Sequence, residues 1–390
     1  MDNFVFYSPT LFAFGKDTEH DAGKYVKQFG GTRVLLHYGT GSVIRSGLLD
    51  RVKASLEEQG ISCVLLGGVQ PNPRSELVYE GIELCRRESV DFILAVGGGS
   101  TIDSAKAIAA GVPYEGDFWD FYSGKAVIKQ ALPIGTVLTI AAAGSEGSRN
   151  TVITHGPFKR GASSELLRPK FSVLNPALTQ TLPPYQTACG ITDIMAHLYE
   201  RYLTNTKDVE VTDRLIEGLM LTLIHEAPRV LADPNHYDAR ANIMWAGMLA
   251  HNNVCGVGRT QDWNSHSIEH ELSALYDCAH GAGLAVTCPA VFSYVVEHDV
   301  MRFAQLAARV WGCQMDFANP ERTAREGIAA LRRFLCSIGM PSNFAELGAR
   351  EEDIPTLVQT LCYGDGRPGF INGFVKLLPE DCERIYRSMI

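Results

Sequence analysis

Two stretches of the chain carry side chains whose types and spacing could bind a transition metal. Asp193 and His197 stand four residues apart in GITDIMAHLYERYL; His266 and His270 are again four apart, and His280 follows ten residues later. Residues four apart share one face of a helix, so each pair can aim at a common point. Five of the eleven histidines fall between positions 251 and 298. A chance cluster of exposed histidines accounts for any one of them taken singly. It accounts poorly for Asp193, His197, His266 and His280 together, because on otherwise apolar helices a buried carboxylate and buried imidazoles need a partner. One divalent metal satisfies all four. Nitrogen ligands with one carboxylate suit iron(II), zinc, manganese or nickel rather than calcium or magnesium, which prefer oxygen shells. No H-E-x-x-H occurs, which removes the zinc-protease reading.

A second stretch, AVGGGSTIDSAKAIAAG from 95 to 111, offers a different chemistry. The apolar run 92–96 reads as a buried strand and 101–110 as a helix, so Gly97-Gly98-Gly99-Ser100 forms the turn between them. Free N–H groups at such a turn suit an anion, phosphate above all. The spacing matches neither the G-x-G-x-x-G fingerprint nor a P-loop, and glycines placed for close packing are the plainer alternative. A Lewis-acid site in the same chain as an anion-binding loop suggests a metal that polarises an oxygen beside a phosphate-bearing cofactor.

Elements must position these groups. Strand-like runs at 34–38, 62–66, 92–96 and 137–140 alternate with amphipathic stretches at 47–59 and 75–88, the pattern of parallel strands with crossover helices. After Leu182-Pro183-Pro184 long helical patterns take over, at 212–226, 239–252, 300–311 and 322–338. The expected organisation is an α/β dinucleotide-binding domain over 1–183 and an all-helical, metal-binding domain over 184–390. With 390 residues, 46% of them hydrophobic and 20% charged, the chain has room for both. A net charge of -9 without a long basic run argues against a nucleic-acid partner. Neither a basic-then-apolar leader nor a run of eighteen apolar residues occurs, so export and membrane insertion are not expected. Ten scattered cysteines without a C-x-x-C pair read as reduced thiols of a cytoplasmic protein.

The segments 97–106, 190–197 and 266–280, taken together, resemble the iron-containing alcohol dehydrogenase family. Tyr38-Gly39-Thr40-Gly41-Ser42, Asp262-Trp263 and the metal-site spacing are most similar to its butanol dehydrogenase and broad aldehyde reductase branch, and the likeness runs in order from Phe6 to the end of the chain. The resemblance implies the dehydroquinate synthase-like fold, with one metal and NAD(P) in the cleft between two domains, in a homodimer. It makes Asp193, His197, His266 and His280 the metal ligands. It puts the pyrophosphate on Gly98, Gly99 and Ser100 with Asp103 close by, and Gly39, Thr40, Gly41, Ser42 and Asn72 among the cofactor contacts. Thr139, Ser145 and Lys159 would lie at the nicotinamide end, with Leu182 near the ring. His270 matches a histidine near substrate and cofactor, a candidate proton relay or a plain core residue. Cys255, Trp263 and Tyr363 are candidates for the substrate wall. Two departures stand out: many relatives have threonine where this chain has Ala143, and asparagine where it has Ser148.

The implied reaction is reversible hydride transfer between nicotinamide and small to medium aliphatic alcohols or aldehydes, beside a metal that polarises the oxygen. The loop 39–42 carries no acid until Asp50, whereas NAD-selective sites commonly hold the ribose 2′-hydroxyl with a carboxylate. NADP(H) is therefore expected to be preferred, with NAD(H) accepted. Rival readings are a glycerol dehydrogenase, a dehydroquinate synthase-like lyase, or a relative that binds metal and nucleotide without catalysis. The lyase needs basic side chains for a phosphorylated substrate, but the ligand segments carry Ile194, Met195, Leu198, Ile268 and Leu272.

Overall fold

The structure, a computed structural model, describes residues 1–390 except the side chain of Asp365. Contacts divide the chain into two compact units: Tyr7–Leu182 with Asn235–Asn252, and Pro183–Pro234 with Asn253–Ile390 and Met1–Phe6. The expected single cut after 183 is simpler than this, because one helix of the second half and the first six residues change sides.

The α/β unit is built on six parallel strands: β1 (Leu11–Phe14), β2 (Arg33–Gly39), β3 (Ser62–Val69), β4 (Phe92–Gly97), β5 (Ile134–Leu138) and, after a hairpin, β8 (Phe171–Leu174). Their order across the sheet is β1-β8-β5-β4-β2-β3. The hairpin is β6 (Asn150–His155) with β7 (Phe158–Ser163), paired antiparallel. Alternate residues along each central strand feed opposite faces. Leu35, Ile93, Ala95, Ile134 and Leu138 pack on one side, while Val34, Leu36, Phe92, Leu94, Val96 and Val137 pack on the other. Helices α1 (Ala22–Gln28), α2 (Ser42–Arg45) and α3 (Leu48–Glu58) belong to the second face, and α4 (Ser75–Glu88) and α5 (Gly99–Gly111) cover the first. A sheet buried on both faces explains why these strands read as continuous apolar runs.

The other unit is helical: α6 (Pro184–Tyr202), α7 (Glu210–Ala232), and then, beyond α8 (Tyr237–His251) of the α/β unit, α9 (Asn264–Tyr276), α10 (His280–Val295), α11 (Val300–Val310), α12 (Pro320–Ser337), α13 (Phe344–Leu347), α14 (Ile354–Tyr363) and α15 (Pro379–Arg387). Helix α8 joins the α/β unit because Met244 enters its core and Trp245 meets Phe12 and Phe14 edge to face. Among the described residues no helix is long and apolar enough to cross a membrane.

Candidate metal centre and cofactor loop

Helix α6 starts with Pro184 in its first turn, where a missing N–H costs nothing, and is buried from Thr187 to Tyr202. That places Asp193 and His197 on one interior face. Helix α9 supplies His266 and His270. It ends at Asp277, whose positive φ of 53° breaks the helix, and the chain re-enters α10 at His280. Two glycines let α10 come close. A Cβ on Gly281 would lie 2.0 Å from the Cys189 carbonyl oxygen of α6, and one on Gly283 would lie 2.6 Å from Glu269 Oε1 of α9.

The result is a convergence of donor atoms. One ligand atom each from Asp193, His266 and His280 lie within 4.8 Å of one another. Nε2 of His266 and Nε2 of His280 each stand 3.8 Å from Asp193 Oδ1. Metal bonds of 2.0–2.2 Å put ligand atoms roughly 3.4 Å apart in a tetrahedron and about 4.2 Å apart in line, so these spacings fit one ion. His197 joins them: its Nδ1 is 2.9 Å from the Asp193 carbonyl oxygen and 3.1 Å from Asp193 Oδ1, and its ring centre is 4.6 Å from that of His266. That ion-pair contact apart, the buried Asp193 Oδ1 and His266 Nε2 make no hydrogen bond among the described residues, a loss that a cation would repair. His270 stands beside the cluster, 5.6 Å from the His280 ring, and forms a second close trio with Glu269 and His280.

Two carboxylates that sequence reasoning overlooked hold the imidazoles. Glu200 of α6 accepts from the ring Nδ1 of His266, and its other oxygen accepts the His266 backbone N–H at 3.1 Å. Glu269 accepts from Nδ1 of His280. Both carboxylates are fully buried. Each lies three residues beyond a predicted ligand, Glu200 after His197 and Glu269 after His266, and that spacing was the available signal. Burial alone would raise the Asp193 carboxyl, but charge on His197 and His280 prevails and holds it well below the usual carboxylate range. Burial lowers His197 to about 4. For His266 burial acts in the same sense, yet Glu200 and Asp193 outweigh it and lift the ring to about 10. Three buried carboxylates around this centre call for positive charge.

Asp262 is also buried. Its Oδ1 accepts from the backbone N–H of Phe374 at 2.9 Å, while its own N–H donates to the Glu200 carbonyl, which ties the entry of α9 to α6. Trp263 lies between Arg201, whose guanidinium sits 4.9 Å above its ring, and the imidazoles of His266 and His197 at 5.3 and 6.0 Å. Of the other wall candidates, Cys255 is fully buried and Tyr363 is half exposed at the end of α14.

In the α/β unit, Gly97 ends β4, Gly98 caps α5 and Gly99 opens it. A Cβ on Gly98 would lie 2.2 Å from Ile140 Cγ2, and one on Gly99 would lie 3.2 Å from the Ala143 methyl, so the bare backbone also makes room for the segment after β5. That segment is anchored by α5. Asp103 Oδ1 accepts from the Ser145 hydroxyl at 2.5 Å, and its Oδ2 accepts the Val152 N–H at 3.0 Å. Two expected cofactor contacts, Asp103 and Ser145, therefore meet each other.

Lys106, quoted in the motif but given no role from sequence, is fully buried. Its Nζ donates to the carbonyls of Ser145, Ser148 and Asn150 at 2.7–2.9 Å. Burial pulls the Lys106 ammonium down to about 8. Ser148, one of the departures, faces this ammonium with its hydroxyl as well, at 3.3 Å. Lys159 donates to Asn72 Oδ1 at 2.9 Å, joining two more expected contacts. Thr139 is pinned through its N–H to the Gly97 carbonyl, and Leu182 is half-buried after a turn from Thr179. In the loop 39–42, Arg45 Nη1 folds to 2.7 Å from where a Cβ on Gly41 would lie, which brings positive charge to that turn.

Residues 9–176 match the iron-containing alcohol dehydrogenase family, and residues 187–389 match the C-terminal part of the Fe-containing alcohol dehydrogenase family. The chain belongs to the iron-containing alcohol dehydrogenase family. Among its relatives is the NADH-dependent butanol dehydrogenase A of Clostridium acetobutylicum, 39% identical over the whole of both chains. Another is the NADPH-dependent aldehyde reductase YqhD of Escherichia coli, 37% identical over 93% of each. The crystal structure of the NADH-dependent butanol dehydrogenase A from Thermotoga maritima superposes with a TM-score of 0.96 at 38% identity, over 100% of this chain and 99% of that one. This enzyme is an NAD(P)-dependent alcohol dehydrogenase of the metal-dependent type, with an α/β first part and a helical second part.

Proposed function

We propose that this enzyme reduces small to medium aliphatic aldehydes, and oxidises the matching alcohols, with one divalent metal held by Asp193, His197, His266 and His280. The observation that carries the reading is the convergence of Asp193 Oδ1 and the Nε2 atoms of His266 and His280 within 4.8 Å. When bound, the metal supplies a Lewis acid and the nicotinamide gives or accepts the hydride. The protein's own residues do the rest. Glu200 and Glu269 hold two imidazoles with Nε2 turned inward. Asp103 and Lys106 fix the segment 145–150 that carries the expected nicotinamide-side contact Ser145. His270, half-buried beside His280, is placed to pass a proton between the site and solvent.

The aliphatic substrate class is supported by the names of the relatives and by the apolar residues around the ligands: Ile194, Leu198, Ile268 and Leu272 are all fully buried. The expected contacts to the dinucleotide are Gly39, Thr40, Gly41, Ser42, Asn72, Gly98, Gly99, Ser100, Thr139, Lys159 and Leu182. The preference for NADP(H) draws support from Arg45 over a turn that lacks an acid. The same reading takes the enzyme to be a cytoplasmic homodimer, supported by the family resemblance and by cysteines that are all free among the described residues; light scattering tests the dimer. The deciding experiment follows NADPH oxidation across a panel of aldehydes and polyols, with and without added iron(II) or zinc. Butanal should be turned over far more efficiently than glycerol is oxidised; the reverse would overturn the substrate assignment.

A further inference from the structure

The three histidines of the centre are not held alike. His266 and His280 each donate Nδ1–H to a fully buried carboxylate outside the four expected ligands, Glu200 and Glu269, whereas the Nδ1 of His197 meets Asp193 itself, 2.9 Å from its backbone carbonyl oxygen and 3.1 Å from its Oδ1. A charge-assisted hydrogen bond is roughly twice as strong as a neutral one, and a carboxylate behind an imidazole raises the basicity of the nitrogen facing the metal.

Both carboxylates are built into place. Glu200 grips His266 twice, through the ring and through the backbone N–H that the first turn of α9 leaves unpaired. Glu269 occupies space that exists because residue 283 is glycine: a Cβ there would come within 2.6 Å of both its Cγ and its Oε1. Glu271 gives the contrast. It lies on the same helix and is equally buried, but it pairs with Arg367 at 3.4 Å.

We propose that Glu200 and Glu269 are positioning residues that set how tightly the metal is retained, by orienting and strengthening His266 and His280. The proposal rests on the reading of the four residues as ligands, and the test separates the two. Purified enzyme is stripped with a chelator, and its affinity for cobalt(II) is measured by competition with a chromophoric chelator. Binding of one cobalt per chain by the wild type and its loss in His266→Ala supports the ligand reading; a wild type that binds none overturns both.

Given binding, Glu200→Gln and Glu269→Gln should each weaken cobalt affinity about 10–100-fold. Glu271→Gln should stay within about threefold of wild type, and Gly283→Ala should reproduce the loss seen in Glu269→Gln. Affinity unchanged in both glutamine variants, or lost equally in Glu271→Gln, overturns the proposal while leaving the ligands in place. The wild type supplies a readout that needs no variant. In the zinc-loaded, nitrogen-15-labelled enzyme the Nδ1 protons of His266 and His280 should both be observed, protected from exchange with water and shifted far downfield by their carboxylate partners. Either proton absent, or at an ordinary imidazole shift, contradicts the role of its carboxylate.

Discussion

Replacing Gly281 by alanine tests whether the close crossing of α10 on α6 is what brings His280 to the metal. The added Cβ would sit 2.0 Å from the Cys189 carbonyl oxygen, whereas ordinary contact begins at 3.4 Å. Neither partner is a flexible side-chain end, so the helices must part by about 1.4 Å, because packed interiors do not absorb such an overlap locally. His280 Nε2 now lies 3.8 Å from Asp193 Oδ1. Opening the crossing along that line takes the separation to about 5 Å, beyond the roughly 4.2 Å that two metal bonds in line can span. The variant should lose about 1–3 kcal/mol of stability. It should also lose most of its metal, read by elemental analysis after dialysis against a chelator-scrubbed buffer. Gly218→Ala on α7 is the control: nothing lies within 4 Å of its added methyl, and a helical glycine replaced by alanine should gain roughly 0.5–1 kcal/mol with metal content unchanged. Full occupancy and wild-type affinity in Gly281→Ala would refute the reasoning.

Three further outcomes are expected. Alanine at His266 or His280 should abolish turnover and most metal content while circular dichroism shows a folded protein; full occupancy in both would remove them from the ligand set. Thr40→Asp should weaken NADPH binding by about 1–3 kcal/mol through repulsion of the 2′-phosphate and leave NADH nearly untouched, checked by the Michaelis constants for both; equal effects would mean the loop does not read that phosphate. Burial lifts the Glu146 carboxyl from 4.5 to about 7. A folded value above the unfolded one means that Glu146 lends stability fully below pH 4.5 and loses it as the pH rises through 7. Urea midpoints from pH 4.5 to 8 should fall less steeply in Glu146→Gln than in wild type, and identical slopes would contradict the assignment.

Several elements were legible in the sequence because their signals are local. The run 92–96 and the helix after it became β4 and α5, and the stretch 75–88 is α4 residue for residue. Asp193 with His197, and His266 with His270, showed themselves because a spacing of four is one turn of helix. Strands β1 and β8, four residues each, are too short to carry a period. The hairpin β6–β7 turns at Gly156, with φ 55°, beside Pro157, a punctuation that can be read as a turn, but its strands mix polar and apolar residues. Glu200, Glu269 and Lys106 were harder still. A carboxylate or ammonium on a helix usually faces water, and only the tertiary packing that buries these three reveals what they hold. The three glycines 97–99 raised the question of an anion, and the packing of Gly98 and Gly99 against Ile140 and Ala143 shows that the plainer reason for bare backbone holds as well.

The central claim is that one metal held by these four residues makes the enzyme competent to reduce an aldehyde. Its most direct test is a back-titration: chelator-stripped enzyme is given zinc or iron(II) in steps, while bound metal and NADPH oxidation with butanal are measured on the same samples. Activity should rise in proportion to bound metal and level off at one ion per chain, with His266→Ala staying flat throughout. Activity in the stripped enzyme, or a plateau reached only at two ions per chain, would contradict the account.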